Sequence, residues 1–239
     1  MYSIYNIYTF VHTLNVMSFK RLILLLIFFC SLNLLYAQEG RTELYLSAGN
    51  NTVFGNFTAV SFKLHSYSKK NFSFKAGLQY NYSPYMVFEV RPGYSRKFSS
   101  CRLTLEGLLY YTPRKKIHNV AAGVGIGLDT RYINISLGYY YRAIAGKGSY
   151  LGEPFNIYYD FAVNCLPNTS ACDLKFSISN SRMIELERHY QPSFAIDCWL
   201  YPFDRLGTVL GICYKPAGMF NLSSDYYQFY ANLGVCYKW

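Results

Sequence analysis

Four histidines, one mixed-charge cluster and one close pair of cysteines are the residues best suited to chemistry in this chain of 239 residues. His12, His65, His118 and His189 are candidate general bases, because imidazole titrates near neutrality. Glu185, Glu187 and Arg188 beside His189 make the richest polar cluster. Paired carboxylates can share acid–base work, but a solvated connection explains this cluster more cheaply. Cys165 and Cys172 are close enough to close a turn as a disulfide in an oxidising compartment. No His or Cys pair accompanies them at zinc-ligand spacing. Gly123, Gly125 and Gly127 alternate along one segment, whereas a dinucleotide fingerprint needs a strand, a turn and a helix; here they leave room on one face. The sequence therefore assigns no catalytic, cofactor-binding or metal residue, and no nucleic-acid partner.

A larger set of charges gains meaning only from the elements that carry it. Lys63, Lys75, Glu89, Arg91, Arg102, Glu106, Arg142, Asp160 and Asp197 all stand on the polar faces of segments with period two. The clearest runs from Phe72 to Tyr82. Phe72, Phe74, Ala76, Leu78, Tyr80 and Tyr82 share one face, and Ser73, Lys75, Gly77, Gln79 and Asn81 share the other. Side chains of a strand alternate between faces, so one side meets an apolar medium and the other a wet one. The pattern recurs from Thr42 to Trp239 in twelve segments, with ten as the alternative count.

Composition agrees. Aromatic residues reach 19%, with 26 Tyr and 18 Phe, while charged residues reach only 15%. Soluble domains carry about a quarter charged residues. Mean hydropathy is near zero, which excludes a bundle of membrane helices. The one long apolar run, Leu22 to Leu35, follows Lys20-Arg21 and ends at Tyr36-Ala37-Gln38. A basic flank, a short apolar core and a small residue describe a secretory signal peptide; a spanning helix needs about 20 apolar residues. Residues 1–37 thus read as an upstream extension plus signal, with Met17 as the natural start, and 38–239 as the mature domain. Losing Lys20 and Arg21 but none of the 13 acids takes the net charge from +10 to +8, a basic excess suited to anionic headgroups.

These features predict an all-β, closed, antiparallel up-and-down transmembrane barrel. The polar face is rich in Gly, Ser and Asn, small enough to line a narrow interior. The segments run about ten residues, the length that crosses a bilayer when tilted. Apolar faces finish in Tyr, Phe or Trp, as interface girdles do. Closure removes strand edges, which lipid cannot satisfy. With both termini on one side, the turns there are 65–71, 95–101, 129–131, 164–173 and 201–206. The opposite loops are 49–54, 82–85, 112–119, 143–154, 180–190 and 215–226. Pro92 sits where a strand should donate a ladder bond, which predicts a bulge or an early strand end.

The Ala37-Gln38 signal end, the twelve segments and the terminal Leu233-Gly234-Val235-Cys236-Tyr237-Lys238-Trp239 together resemble bacterial outer-membrane β-barrel proteins. The resemblance implies a monomer in the Gram-negative outer membrane, among lipid and lipopolysaccharide. It also implies insertion by the barrel-assembly machinery, with Trp239 and Tyr237 as the terminal signal. Arg114-Lys115-Lys116 would then meet lipopolysaccharide phosphates or merely solvate a turn. The class includes narrow channels, surface-interaction barrels, accessory barrels of secretion systems and a phospholipase. The phospholipase motif His-x-Ser-Asn-Gly is absent here, since Asn-Gly does not follow His65-Ser66. A non-enzymatic channel or structural barrel is the expectation, and the nine charges are its candidate lumen.

Overall fold

Alternation along the chain becomes twelve strands in the computed structural model. It describes residues 37–52, 55–68, 71–81, 85–113, 117–146, 149–166, 171–180, 192–216 and 227–239. The apolar run 22–35, the basic tip 114–116, His12 and the Glu185–His189 cluster lie outside the described residues. The chain divides into two units, Met1–Ala37 and Gln38–Trp239. The strands are β1 (Ala37–Asn51, all but its first residue in the second unit), β2 (Gly55–Ser68), β3 (Phe72–Asn81), β4 (Tyr85–Lys97), β5 (Cys101–Pro113) and β6 (Ile117–Thr130). They continue through β7 (Ile133–Gly146), β8 (Ser149–Asn164), β9 (Cys172–Ser179), β10 (Ser193–Leu200), β11 (Leu206–Lys215) and β12 (Gln228–Lys238). Each strand neighbours the next, and β1 meets β12 to close the barrel.

The barrel is inside out relative to a soluble one. Leu46, Leu105 and Leu233 on the outer face are 62%, 61% and 59% exposed, whereas Gln79, Glu106 and Gln228 are 1%, 2% and 0% exposed. A soluble sandwich or barrel demands the reverse, because apolar surface of this extent is costly in water. Two aromatic girdles bound the apolar band. Phe72, Tyr94, Tyr132 and Tyr237 are exposed towards the rim that carries the termini, and Tyr80, Tyr139, Tyr214 and Phe229 towards the opposite, loop rim. Aromatic side chains of this kind sit at membrane–water interfaces.

Closure is a backbone matter at the terminal rim. Gly40 N–H donates to the Trp239 carbonyl at 3.2 Å, and Trp239 N–H to the Gly40 carbonyl at 3.1 Å. A side chain at Gly40 would overlap the Trp239 indole, so this glycine seats the terminal aromatic against β1. The Tyr237 and Trp239 rings stack with centroids 6.3 Å apart. An interfacial aromatic contributes at most a few kcal/mol of burial, so a finished barrel survives the loss of Trp239. If the residue is a signal read during assembly, deleting it or making Trp239→Asp should deplete the outer membrane of the protein, whereas Trp239→Phe inserts nearly normally. Equal membrane levels of all three at native expression would remove that role.

Three sequence expectations need correction. Pro92 causes neither a bulge nor an early end. β4 runs through it, and the β4–β5 register is the same at Val90↔Leu109 and Gly93↔Glu106. Only the two intervening pairs are missing, and Pro92 stays opposite Phe74 on the β3 side. The ring thus faces Gly107 across β5, where no side chain obstructs it. Residues 143–154 are not a loop. β7 and β8 stay paired out to Gly146↔Ser149, and a register shift between Tyr140↔Asn156 and Arg142↔Glu153 places Pro154 at the bulge, where a missing N–H is tolerated. Likewise the 112–119 connection narrows to 114–116, because Pro113 pairs with His118.

Candidate functional site

Inward side chains on the terminal-rim side of the lumen surround a chamber of about 490 Å³. Lys63, Lys75, Glu89, Arg91, Arg102, Asp160 and Asp197 line it. Arg142 instead lines a smaller cavity of about 50 Å³ towards the loop rim, and Glu89 and Arg91 border both. Glu106 lies between, with its side chain 1% exposed. The lumen therefore narrows at Arg91.

The narrowing is an ion cluster built from neighbouring strands. Lys75 Nζ on β3 donates to Glu106 Oε2 at 2.9 Å, and Arg91 Nη1 on β4 to Glu106 Oε1 at 3.3 Å. Arg91 Nε also donates to Glu89. Tyr158 on β8 completes it, its hydroxyl donating to Glu106 Oε1 at 3.1 Å while Arg91 stacks 5.0 Å from its ring. Buried ions need such full satisfaction, since desolvation otherwise exceeds the Coulombic gain.

Tyr158 reaches β5 because two glycines lie flat beneath it. Glu106 pairs with Gly125, Gly125 with Gly138, and Gly138 with Tyr158, one row across four strands. A Cβ at Gly138 would overlap the Tyr158 ring, and one at Gly125 its hydroxyl. The alternating glycines of β6 thus make room for a tyrosine laid along the wall. Tyr140 and Leu108 pack beside it, and Arg142 Nε is held by Asn119 at 3.0 Å.

A second cluster crosses the lumen nearer the terminal rim. Trp199 Nε1 on β10 donates to Glu43 Oε1 on β1 at 2.8 Å. Arg41 bonds Glu43 at 2.8 Å, lies 4.0 Å from Asp173 and stacks 4.3 Å from the Trp199 ring. Arg102 Nη2 meets Glu39 at 2.8 Å. In the turn after β10, burial pushes the Tyr201 hydroxyl up to about 12. Sequence reasoning did not single out Arg41, Glu43, Asp129, Asp173 or Trp199.

The remaining candidates are dispersed. Cys165 and Cys172 form no disulfide with each other in this structure. Cys172 instead lies 3.7 Å, sulfur to sulfur, from Cys198 on the adjacent strand β10, and the Cys165 thiol contacts the Val163 carbonyl. Strand pairing, not sequence proximity, chooses the neighbour. His118 shares a 3.0 Å hydrogen bond with the Tyr111 hydroxyl, and His65 Nε2 is buried without a hydrogen-bond partner. Among the described residues neither histidine bonds a serine, threonine or thiol, and no three His, Cys, Asp or Glu side chains gather to hold a metal.

No family model and no curated relative matches the chain. Solved structures do. A NanC porin is 11% identical with a TM-score of 0.55, over 82% of this chain and 100% of that one. A KdgM porin, solved in complex with disordered oligogalacturonate, is 10% identical with a TM-score of 0.51, over 82% of this chain and 98% of that one. The translocator domain of the autotransporter NalP from Neisseria meningitidis is 9% identical with a TM-score of 0.49, over 84% and 89%. Identities this low speak to fold alone. Closed on itself through twelve antiparallel strands, polar within and apolar without, the chain has the architecture of the bacterial outer-membrane β-barrels.

Proposed function

We propose that this barrel is a narrow, non-enzymatic passage for small polar solutes across the Gram-negative outer membrane. The supporting observation is the charged chamber of about 490 Å³, narrowed at the Arg91–Glu106–Tyr158 cluster. In this reading the terminal rim faces the periplasm and the opposite rim, where β9 leads to β10 and β11 to β12, faces outward. The mature monomer begins near Gln38 after signal cleavage and lies among lipid and lipopolysaccharide. Assembly machinery reads Tyr237 and Trp239. The purified protein, its N-terminus established by sequencing, is to be reconstituted in planar bilayers. Small conductance is expected from the native chain, and a larger one from Tyr158→Ala, which removes a ring that lines the wall at the narrowing. Silence from both proteins would leave a structural or surface-interaction barrel as the better account.

A further inference from the structure

The charges of the chamber are sorted around its wall. The contiguous half formed by β1–β5 contributes five cations, Arg41, Lys63, Lys75, Arg91 and Arg102, against the carboxylates Glu43 and Glu89. The half formed by β6–β10 contributes four carboxylates, Asp129, Asp160, Asp173 and Asp197, against the single cation Lys175. The lining as a whole holds six cations and six carboxylates, with His65 besides. Glu39 and Glu106, paired with Arg102, Lys75 and Arg91, leave the basic side with five cations against four carboxylates.

A site with separated signs discriminates by ligand dipole. A monovalent ion gains at one wall and loses at the other, so its net attraction is small. A solute carrying both charges apart gains at both walls when it lies across the field. Low-dielectric protein around the chamber strengthens each term relative to bulk water. The donors also match: Lys and Arg side chains bond a carboxylate by charge-assisted contacts, and aspartates bond an ammonium. The volume of about 490 Å³ admits an amino acid or a dipeptide with water.

We infer that the chamber binds small zwitterions of amino-acid or dipeptide size, carboxylate towards β1–β5 and ammonium towards β6–β10. The inference deepens the passage reading by naming the solute class, and it is testable without conduction. The chain has two tryptophans, and Trp199 lines the chamber, so in a Trp239→Phe background its emission reports occupancy alone.

Three probes of near-equal size separate the charges: glycylglycine, N-acetylglycine and glycylglycinamide. Glycylglycine should half-saturate the Trp199 signal at a concentration about tenfold below either blocked form. Asp129→Asn with Asp160→Asn should shift the preference to the acetylated anion. Lys63→Gln, a milder change, should shift it to the amidated cation, and it serves if the double variant fails to fold. Equal binding of the three probes overturns the inference, as does a blocked peptide binding best, or a preference unmoved by a folded variant. Silent bilayers with intact dipeptide binding would sink only the passage reading, whereas conduction without zwitterion preference would sink only this one.

Discussion

Replacing Glu106 with alanine should lower the unfolding free energy by about 3–5 kcal/mol, the cost of stranding buried charge by removing one partner. Glu106 is the shared acceptor of Lys75, Arg91 and Tyr158, and its side chain is 1% exposed. Arg91 keeps Glu89, so Lys75 and the Tyr158 hydroxyl lose most. Glu106→Gln retains a carbonyl acceptor and should fall between. The temperature at which the folded gel species gives way to the unfolded one measures the difference in detergent. An unchanged transition for Glu106→Ala would mean that water reaches this cluster freely and that it does not narrow the lumen.

Gly125→Ala should cost about 1–3 kcal/mol, as overfilling a packed site does. Its methyl group would overlap the Tyr158 hydroxyl and unseat the ring from Glu106. Tyr158→Ala should also destabilise, through lost packing over Gly138 and Gly125. The informative quantity is the pair. With the ring gone, the worst overlap is relieved and the Leu137 carbonyl at 2.7 Å is the tightest remaining contact given, so the double variant should be more stable than the two losses predict, by about 1 kcal/mol or more. Strict additivity in the same thermal assay would show that Gly125 is required for backbone approach rather than for the tyrosine.

Sequence carried the wall of the barrel further than its interior. Alternation through Phe72–Tyr82 or Thr208–Tyr214 is a local property, readable from one strand because the pleat has period two. It placed Lys75 and Glu106 on the inner face before any register was known. What those side chains touch depends on pairing across strands, which no single segment encodes. The Glu106–Gly125–Gly138–Tyr158 row exists only once three registers are set. Strand ends were the weaker part. Arg41, Asp129 and Asp173 lie at or beyond the ends of clear alternation, yet they line the chamber because β1, β6 and β9 extend past it. Pro92 misled because a proline within a strand need not shift its register: the β4–β5 alignment is the same on both sides of it.

The seam between β1 and β12 joins segments from opposite ends of the barrel, and it carries two tyrosine–glycine pairs in opposite senses, Tyr45↔Gly234 and Tyr230↔Gly49. At both glycines a Cβ would overlap the tyrosine opposite. Sliding β12 by two residues keeps every side chain on its proper face, so the apolar pattern alone cannot reject that error. It would, however, set Tyr45 against Asn232 or Cys236 and Tyr230 against Ser47 or Asn51, where a Cβ already occupies the space. The last joint of the cylinder thus proofreads itself by shape, admitting one alignment of two strands that meet only when the rest of the wall is complete.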